Sequence, residues 1–428
     1  MDFALSPLAQ DLCQRLEDFM ARYVLPYNAA WHQSVVEGQY PPVFLEDLKA
    51  LAREQGLWNL FLPGLCEDEP GTRLSNLDYA PLAEIMGRLP WAPEVFNCSA
   101  PDTGNIELLH RFATPAQREQ WLRPLLDGTL RSAFAMSEPD VASSDPTNLQ
   151  TTLRRDGDAL VLNGRKWFIT GAAHPHCKLL IVMCASGGND TARHGQHSLV
   201  LVPMDTPGVR VLRNIAVMQH HAPEGHCEIV LQDVRVPAHA LLGAEGEGFA
   251  MAQARLGPGR IHHCMRTIGQ CELALALACE RTLERRAFGK YLADFSNVQE
   301  WIAESRLEID QARLLVLRAA WTLDQGASAA ASAQSRANVA AIKVVAARLQ
   351  TRVVDRAMQV FGAMGLSPDT PLAYFWTWGR ALHLMDGPDE VHLRSVARHE
   401  LARARERRGM TAAYFTTPEQ LLAPPRIR

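Results

Sequence analysis

LQTTLRRDGDALVLNGRKWFITG, residues Leu149 to Gly171, is the stretch whose reading decides the fold. Apolar and polar residues alternate through it with a period of two, the spacing of a strand whose two faces differ. Asp156-Gly157 and Asn163-Gly164 interrupt the alternation. Such dipeptides between apolar runs favour tight hairpin turns, because both residues tolerate positive φ. The stretch therefore predicts a three-stranded meander of LQTTLR, ALVL and RKWFI. Outward from it, LLIVMC (179–184), SLVLVPM (198–204) and CEIVLQDVRVP (227–237) carry the same texture. Residues 131–242 are expected to form an antiparallel β-domain.

The period becomes helical on both sides. In residues 1–130, Leu5, Leu8, Leu12, Leu16 and Met20 stand at three- and four-residue spacing, and Pro26, Pro41 and Pro63 divide the region into several short helices. In residues 243–407 the stripes are longer. Val339, Ile342, Val345, Leu349, Val353, Ala357 and Val360 mark one, and Ile302, Ile309, Ala312 and Val316 another, so a helical bundle is expected. Residues 408–428, with Pro424-Pro425, lack periodicity and read as a tail. The order helices, sheet, helices is α+β, and no repeat of 20 to 50 residues is visible.

A chain of 428 residues has room for two or three domains, each with its own core. Lys and Arg total 43 against 47 Asp and Glu, for a net charge of −4. That balance gives no broad basic field for nucleic acid or anionic lipid, so an anionic ligand must be held locally. The opening MDFALSPLAQDL has neither the basic nor the apolar region of a secretion signal, and no apolar run reaches the length of a membrane span. A cytoplasmic location is the expectation. Nine cysteines lie between Cys13 and Cys279 without a C-x-x-C pair, which suits reduced thiols acting as small buried hydrophobes.

The phosphate-cradling loops G-x-G-x-x-G and G-x-x-x-x-G-K-S/T are absent, as are G-x-S-x-G and H-E-x-x-H. His174, His176 and Cys177 crowd one loop but have no second ligand group nearby in sequence, so no metal is expected. FAMSEPDVASSDPTN (Phe134 to Asn148), taken alone, is an Asx-rich loop with local side-chain to backbone bonds. The aromatic pair of KWFITG (Lys166 to Gly171) is more often core than cofactor platform. An arginine in a helix is usually a surface charge, and a glycine pair after a helix is usually a cap. His262, His263, His383 and His392 read as structural or exposed rather than as proton carriers.

Jointly, FAMSEPDVASSD, NGRKWFITG, LQDVRVP followed by LLG, ERRAFGK and DGPDEVH stand in the order and spacing of the acyl-CoA dehydrogenase family. The chain resembles the branch of mammalian members ten and eleven. The resemblance implies an N-terminal helical domain, a middle antiparallel β-domain and a C-terminal four-helix bundle. It also implies FAD. Phe134, Met136 and Ser137 match positions at the flavin ring, and Phe168, Ile169 and Thr170 match the strand lying against it. A planar apolar ring needs such a wall with a few donors. Arg285 matches the arginine that reaches the FAD pyrophosphate of a neighbouring subunit, with Phe288 beside the adenosine. Gln299, Gln359 and Gly362 match further positions at the ADP end, where Ala363 replaces a more usual glycine, and Glu390 is expected on the FAD side. One extra residue between Pro139 and Asp145 leaves open which of Ser143 and Ser144 faces the CoA moiety.

The reaction implied is α,β-desaturation of an acyl-CoA, with the C2 proton taken by a carboxylate and hydride passing from C3 to flavin N5. Family members draw the base from one of two places. At the first, before the arginine of LGPGRIHH, this chain has Gly259; at the second, DGPDEVH, it has Asp386. Asp386 is the implied base, and Arg260 the arginine that positions it and tunes its pKa. An electron-transferring flavoprotein is the implied acceptor, and a homodimer or homotetramer the implied assembly. The acyl group stays open, with a 4-hydroxy or 4-phosphoryl substituent suggested by the branch. Two other readings remain: a nitroalkane-oxidase-type flavoenzyme of the same fold, and an inactive relative acting as a binding or assembly protein.

Overall fold

The computed structural model describes residues 2–186, 195–326 and 329–417. Its sheet consists of β1 (Arg131–Ala135), β2 (Thr152–Asp156), β3 (Ala159–Thr170), β4 (Cys177–Ala185), β5 (His197–Pro203), β6 (Val209–Asn214), β7 (His226–Pro237) and β8 (Leu241–Leu242). The Leu149–Gly171 stretch makes one hairpin rather than a meander. β2 turns at Asp156-Gly157 and pairs Asp156 with Ala159. Asn163-Gly164, however, lies inside the continuous strand β3, where the register against β7 shifts between Leu162 and Gly164. A Cβ on Gly164 would stand 2.4 Å from Thr151 Oγ1 and 2.8 Å from Thr151 Cα. The glycine is there for close approach of a neighbouring chain, not for a turn. Asn163 completes the irregularity by accepting from the backbone N–H of Asp233, which sits at φ 49°. The result is a bulge in the strand.

The strand order is β6-β7-β3-β2-β4-β5-β8, with β1 alongside β4. β1 runs parallel to β4, Phe134 opposite Ile181, so the sheet is mixed, not purely antiparallel. β1 arrives from the N-terminal helices and leaves through the long loop at 136–151, a crossover that a hairpin turn cannot provide. Alternation along β4 and β5 splits the interior. Leu179, Ile181, Met183, Leu199 and Leu201 join the core under the helices, while Leu180, Val182, Cys184, Val200 and Val202 form the second core inside the β-domain.

The helices form where their stripes predict, except that in the first one Leu12 and Leu16 are buried while Leu8 is exposed and Leu5 precedes the helix. Ser6 caps Pro7–Phe19 by accepting from Ala9 N at 3.1 Å. Gly248–Glu284, Ser296–Asp324, Ala329–Phe361 and Asp389–Glu406 make the C-terminal bundle, with Leu372–Leu382 packed against it. Ile342, Leu349, Val353 and Ala357 are buried from one stripe, and Ile309, Ala312 and Val316 from the other. Most cysteines are buried as expected, but Cys66 is exposed. The end of the predicted tail, 418–428, lies outside the described residues. Among the described residues no helix is long and apolar enough to cross a membrane.

The N-terminal and C-terminal helical domains meet where Asn76–Gly87 crosses Gly248–Glu284 at paired glycines. A Cβ on Gly269 would lie 2.0 Å from the Glu84 carbonyl oxygen, and one on Gly87 would lie 2.4 Å from Arg266 Cα. Backbone cannot swing aside as a side chain can. Gly269→Ala gains about 1 kcal/mol of helix propensity, but the overpacking costs about 3 kcal/mol or more. A net loss of about 2 kcal/mol is expected in chemical unfolding, and a variant as stable as the parent would show that the two helices can part freely.

Candidate active site

The turn after Leu372–Leu382 is built to present one side chain. Asp386 and Gly387 both adopt positive φ, 54° and 98°, which is costly for the aspartate and needs support from its surroundings. The support is on the main chain. Arg260 donates to the Asp386 carbonyl from Nε at 3.1 Å and from Nη2 at 2.9 Å. His392 Nε2 lies 3.1 Å from the same oxygen. Burial, then the Arg260 charge, pushes this ring down to about 4, so it is neutral and donates. Buried Lys343 donates to the carbonyls of Leu382 and Gly387. A Cβ at Gly387 would approach His392 Nε2 to 2.9 Å, so the packing of this turn also needs the glycine.

With its main chain held, Asp386 does not cap the turn with its carboxylate. Oδ2 lies 2.7 Å from His263 Nδ1, and the side chain keeps 24 % of its surface exposed to a cavity of about 2220 Å³. That volume exceeds the roughly 300–1,000 Å³ of most small-molecule sites. Burial alone would raise the carboxyl pKa, but His263 first, then Arg260 and Arg255, hold it well below the usual carboxylate range. The group is an ionised acceptor facing the cavity. A second carboxyl on the cavity wall, Glu107, is pushed up to about 8 by burial despite Arg111 and Arg255.

The opposite wall comes from the two segments first read as a loop and a core strand. Phe168 is at φ 51° and 43 % exposed, packed edge-on to Trp167 at 5.0 Å. Phe134 carries the half-buried Arg255 guanidinium 4.3 Å over its ring, and Arg255 Nε donates to Asn105 at 2.9 Å. The two segments are tied by a buried ion pair. Lys166 Nζ donates to Glu138 at 2.8 Å and to the carbonyls of Met136 and Met183 at 2.9 and 2.7 Å, while Glu138 accepts from the backbone of Gln150 and Thr151. Thr170 Oγ1 sits 3.0 Å from His226 Nδ1. Burial pushes the His226 ring down to about 4. Ser143 is engaged by the Glu138 peptide at 2.9 Å, and Ser144 is the exposed one on the cavity rim.

The structure thus brings Asp386, Arg260, Phe134, Met136, Ser137, Phe168, Ile169, Thr170, Ser143 and Ser144 to one cavity. Others lie elsewhere. Arg285 ends the Gly248–Glu284 helix in solvent, and Phe288, 97 % exposed, tips the short hairpin after it. Gln299 donates to its own Ala293 carbonyl, Gln359 is exposed, Gly362 has open space at its Cβ position, and Glu390 is exposed on the first turn of its helix. Arg260 grips the Asp386 backbone, not its carboxylate. Sequence reasoning set His263 aside, yet it touches that carboxylate; the two stand 123 positions apart, with no pattern that reveals the pair. His392 and Lys343 belong to the turn for the same reason, and His383 pairs with Asp389 at 2.7 Å. Among the described residues the cluster that could hold an ion is Cys66, Glu69 and His110, not the His174 loop.

The family models for the acyl-CoA dehydrogenase N-terminal, middle and C-terminal domains match residues 6–129, 133–234 and 246–401. The chain is 54 % identical over 409 residues to "Probable acyl-CoA dehydrogenase FadE2" of Mycobacterium tuberculosis, covering 94 % of this chain and 98 % of that one. It is 45 % identical over 407 residues to human acyl-CoA dehydrogenase family member 11, covering 93 % of this chain but spanning only 51 % of that relative. Butyryl-CoA dehydrogenase from Megasphaera elsdenii superposes with a TM-score of 0.77 at 28 % identity, over 94 % of this chain and 100 % of the other. A solved chain from Mycobacterium abscessus reaches 0.88 at 48 % identity, over 94 % and 99 %.

Proposed function

The chain belongs to the acyl-CoA dehydrogenase family, and we propose from that premise that it introduces a C2–C3 double bond into an acyl-CoA thioester, with Asp386 removing the C2 proton. The observation that carries this reading is the ionised Asp386 carboxylate, held on a clamped turn and left accessible in the cavity. FAD is the family's cofactor, and the residues present fit it. Phe168, a large apolar side chain kept half-exposed on a strained backbone, offers the wall a planar ring needs. Bound against Phe134, Met136, Ser137 and Phe168 to Thr170, the cofactor supplies the hydride acceptor.

The chain's own residues do the rest. Asp386 accepts the C2 proton. Arg260 holds its carbonyl, and Lys343 the next turn of chain, so the carboxylate stays aimed while substrate enters. The C2 proton is weakly acidic, so preorganised donors at the thioester carbonyl have to supply several kcal/mol, typically about 2.7–4 kcal/mol each. Closure of the acyl chain over the cavity expels water, which raises the carboxyl pKa and strengthens the base. Ser144, on the rim, is the serine that meets the CoA moiety. Arg255, Arg260, Arg266 and Arg111 line the cavity together, which favours an acyl chain bearing a polar or anionic substituent, such as 4-hydroxy or 4-phosphoryl, over a plain alkyl chain. An electron-transferring flavoprotein takes the electrons.

The test is a panel of acyl-CoAs scored by anaerobic bleaching of the bound flavin, followed by reoxidation with an artificial dye. Bleaching by at least one acyl-CoA supports the reading. Bleaching by a nitroalkane alone would move the chain to the oxidase type, and a colourless protein that ignores acyl-CoA would make it a binding protein.

Arg285 and Phe288 face solvent here, so their place at the cofactor requires a second copy of the chain. We expect light scattering to give a dimer or tetramer, and Arg285→Ala to release FAD more readily than the parent on dilution. An Arg285→Ala protein that keeps FAD as tightly would remove the cross-subunit contact whatever the assembly size.

A further inference from the structure

We propose that His263 is a positioning residue for the proton abstraction, locking Oδ2 of Asp386 so that Oδ1 alone is presented to the substrate. The inference rests on the reading of Asp386 as the base. A carboxylate oxygen and an imidazole nitrogen with bare lone pairs repel each other, so at 2.7 Å a proton lies on the line between Oδ2 and Nδ1. With Asp386 ionised, the proton lies on the ring, and Nδ1–H donates to Oδ2. Oδ2 is therefore occupied, and a proton arriving from C2 has only Oδ1 to go to.

The need for such a lock comes from the side chain itself. The second torsion of an aspartate is broad and roughly two-fold, so fixing its backbone does not fix its oxygens. Arg260, His392 and Lys343 all act on the main chain of the turn. His263 supplies the missing restraint. It stands three residues after Arg260 in the Gly248–Glu284 helix, so the two side chains share one face and reach the backbone and the carboxylate of the same residue. Gly257 and Gly259, just before them, have open space where a Cβ would be, leaving the approach to Asp386 clear.

Two variants separate positioning from packing. His263→Leu keeps volume without a donor, while His263→Asn places an amide N–H near the position of Nδ1–H. In single-turnover experiments on the FAD-loaded enzyme, His263→Leu is expected to slow flavin reduction by about 100-fold, the loss that follows a misplacement of about 1 Å. The acyl-CoA dissociation constant should stay near the parental value, and His263→Asn should recover most of the rate. A parental rate in His263→Leu overturns the proposal. So does an Asn variant as slow as the Leu variant, because the role would then belong to the second ring nitrogen. The contact is also read without turnover: in histidine-labelled protein the bonded His263 Nδ1 proton should give a low-field resonance that disappears in Asp386→Ala. Its absence from the parent overturns the lock. A parent that shows it but is bleached by no acyl-CoA keeps the lock and loses the function assigned to Asp386.

Discussion

Asp386→Asn is expected to leave a yellow protein that binds acyl-CoA but reduces its flavin about 10⁴-fold more slowly, at the top of the range for loss of a general base. The substitution is nearly isosteric, and every clamp on the turn acts through the main chain or its neighbours. The amide can still hydrogen-bond with His263. What it cannot do is accept a proton from carbon. Asp386→Glu should keep partial activity, since the carboxylate survives but is pushed one methylene further into the cavity. One competing carboxyl on the cavity wall is Glu107, and the two environments assign opposite roles. Asp386 is held ionised by His263, Arg260 and Arg255, whereas burial raises Glu107 to about 8 and leaves it protonated at neutral pH. A protonated carboxyl is a donor, not a base. Bleaching at near-parental rate in Asp386→Asn would place the base elsewhere, with Glu107 next to be replaced.

Much of this site is legible in the sequence, because its parts are local. The period switch near residue 131, the return of helical stripes after 243 and the DGPDEVH segment each sit within a short window. The misreadings share one cause, which is contact between distant segments. Asn163-Gly164 carries every local mark of a hairpin, yet Thr151 presses against Gly164 and makes it a bulge. β1 lies parallel to β4 because of where the N-terminal helices deliver it, and no periodicity encodes that. His263 looks like an ordinary helical histidine until the turn carrying Asp386 is folded onto it. Arg260, expected beside the base to position it and tune its pKa, makes its hydrogen bonds to the Asp386 carbonyl while its charge helps to lower the carboxyl pKa.

Arg131→Leu should be the most destabilising of these changes, by about 3–5 kcal/mol, the usual cost of removing one partner from a buried charge network. Arg131 opens β1, only 8 % of its side chain is exposed, and it joins Asp102, Glu94 at 2.9 Å and Ser99 at 2.7 Å. Glu94 also meets Lys49 at 3.2 Å and His174 at 3.4 Å, and Asp102 accepts from Ser132 N at 2.7 Å. The network therefore fastens the N-terminal helices to the strand that leads into Phe134, Met136 and Ser137. Burial opposes the charge on Glu94, but Arg131 first, then His174 and Lys49, hold its pKa well below the usual carboxylate value. A carboxyl depressed in the folded state contributes stability above its unfolded pKa, and this is lost as pH falls through the folded value. Without Arg131 the burial effect prevails, Glu94 becomes costly to ionise, and that acid-side dependence should flatten or reverse. Chemical unfolding from about pH 2.5 to about pH 8 reads both the loss and the change of slope, since the parent's dependence lies below the ordinary carboxyl pKa. Adding Asp102→Leu should recover part of the stability if the cost is an unpaired charge. A single variant within 1 kcal/mol of the parent at pH 7, with its pH slope intact, would mean that Lys49 and His174 alone neutralise the pocket.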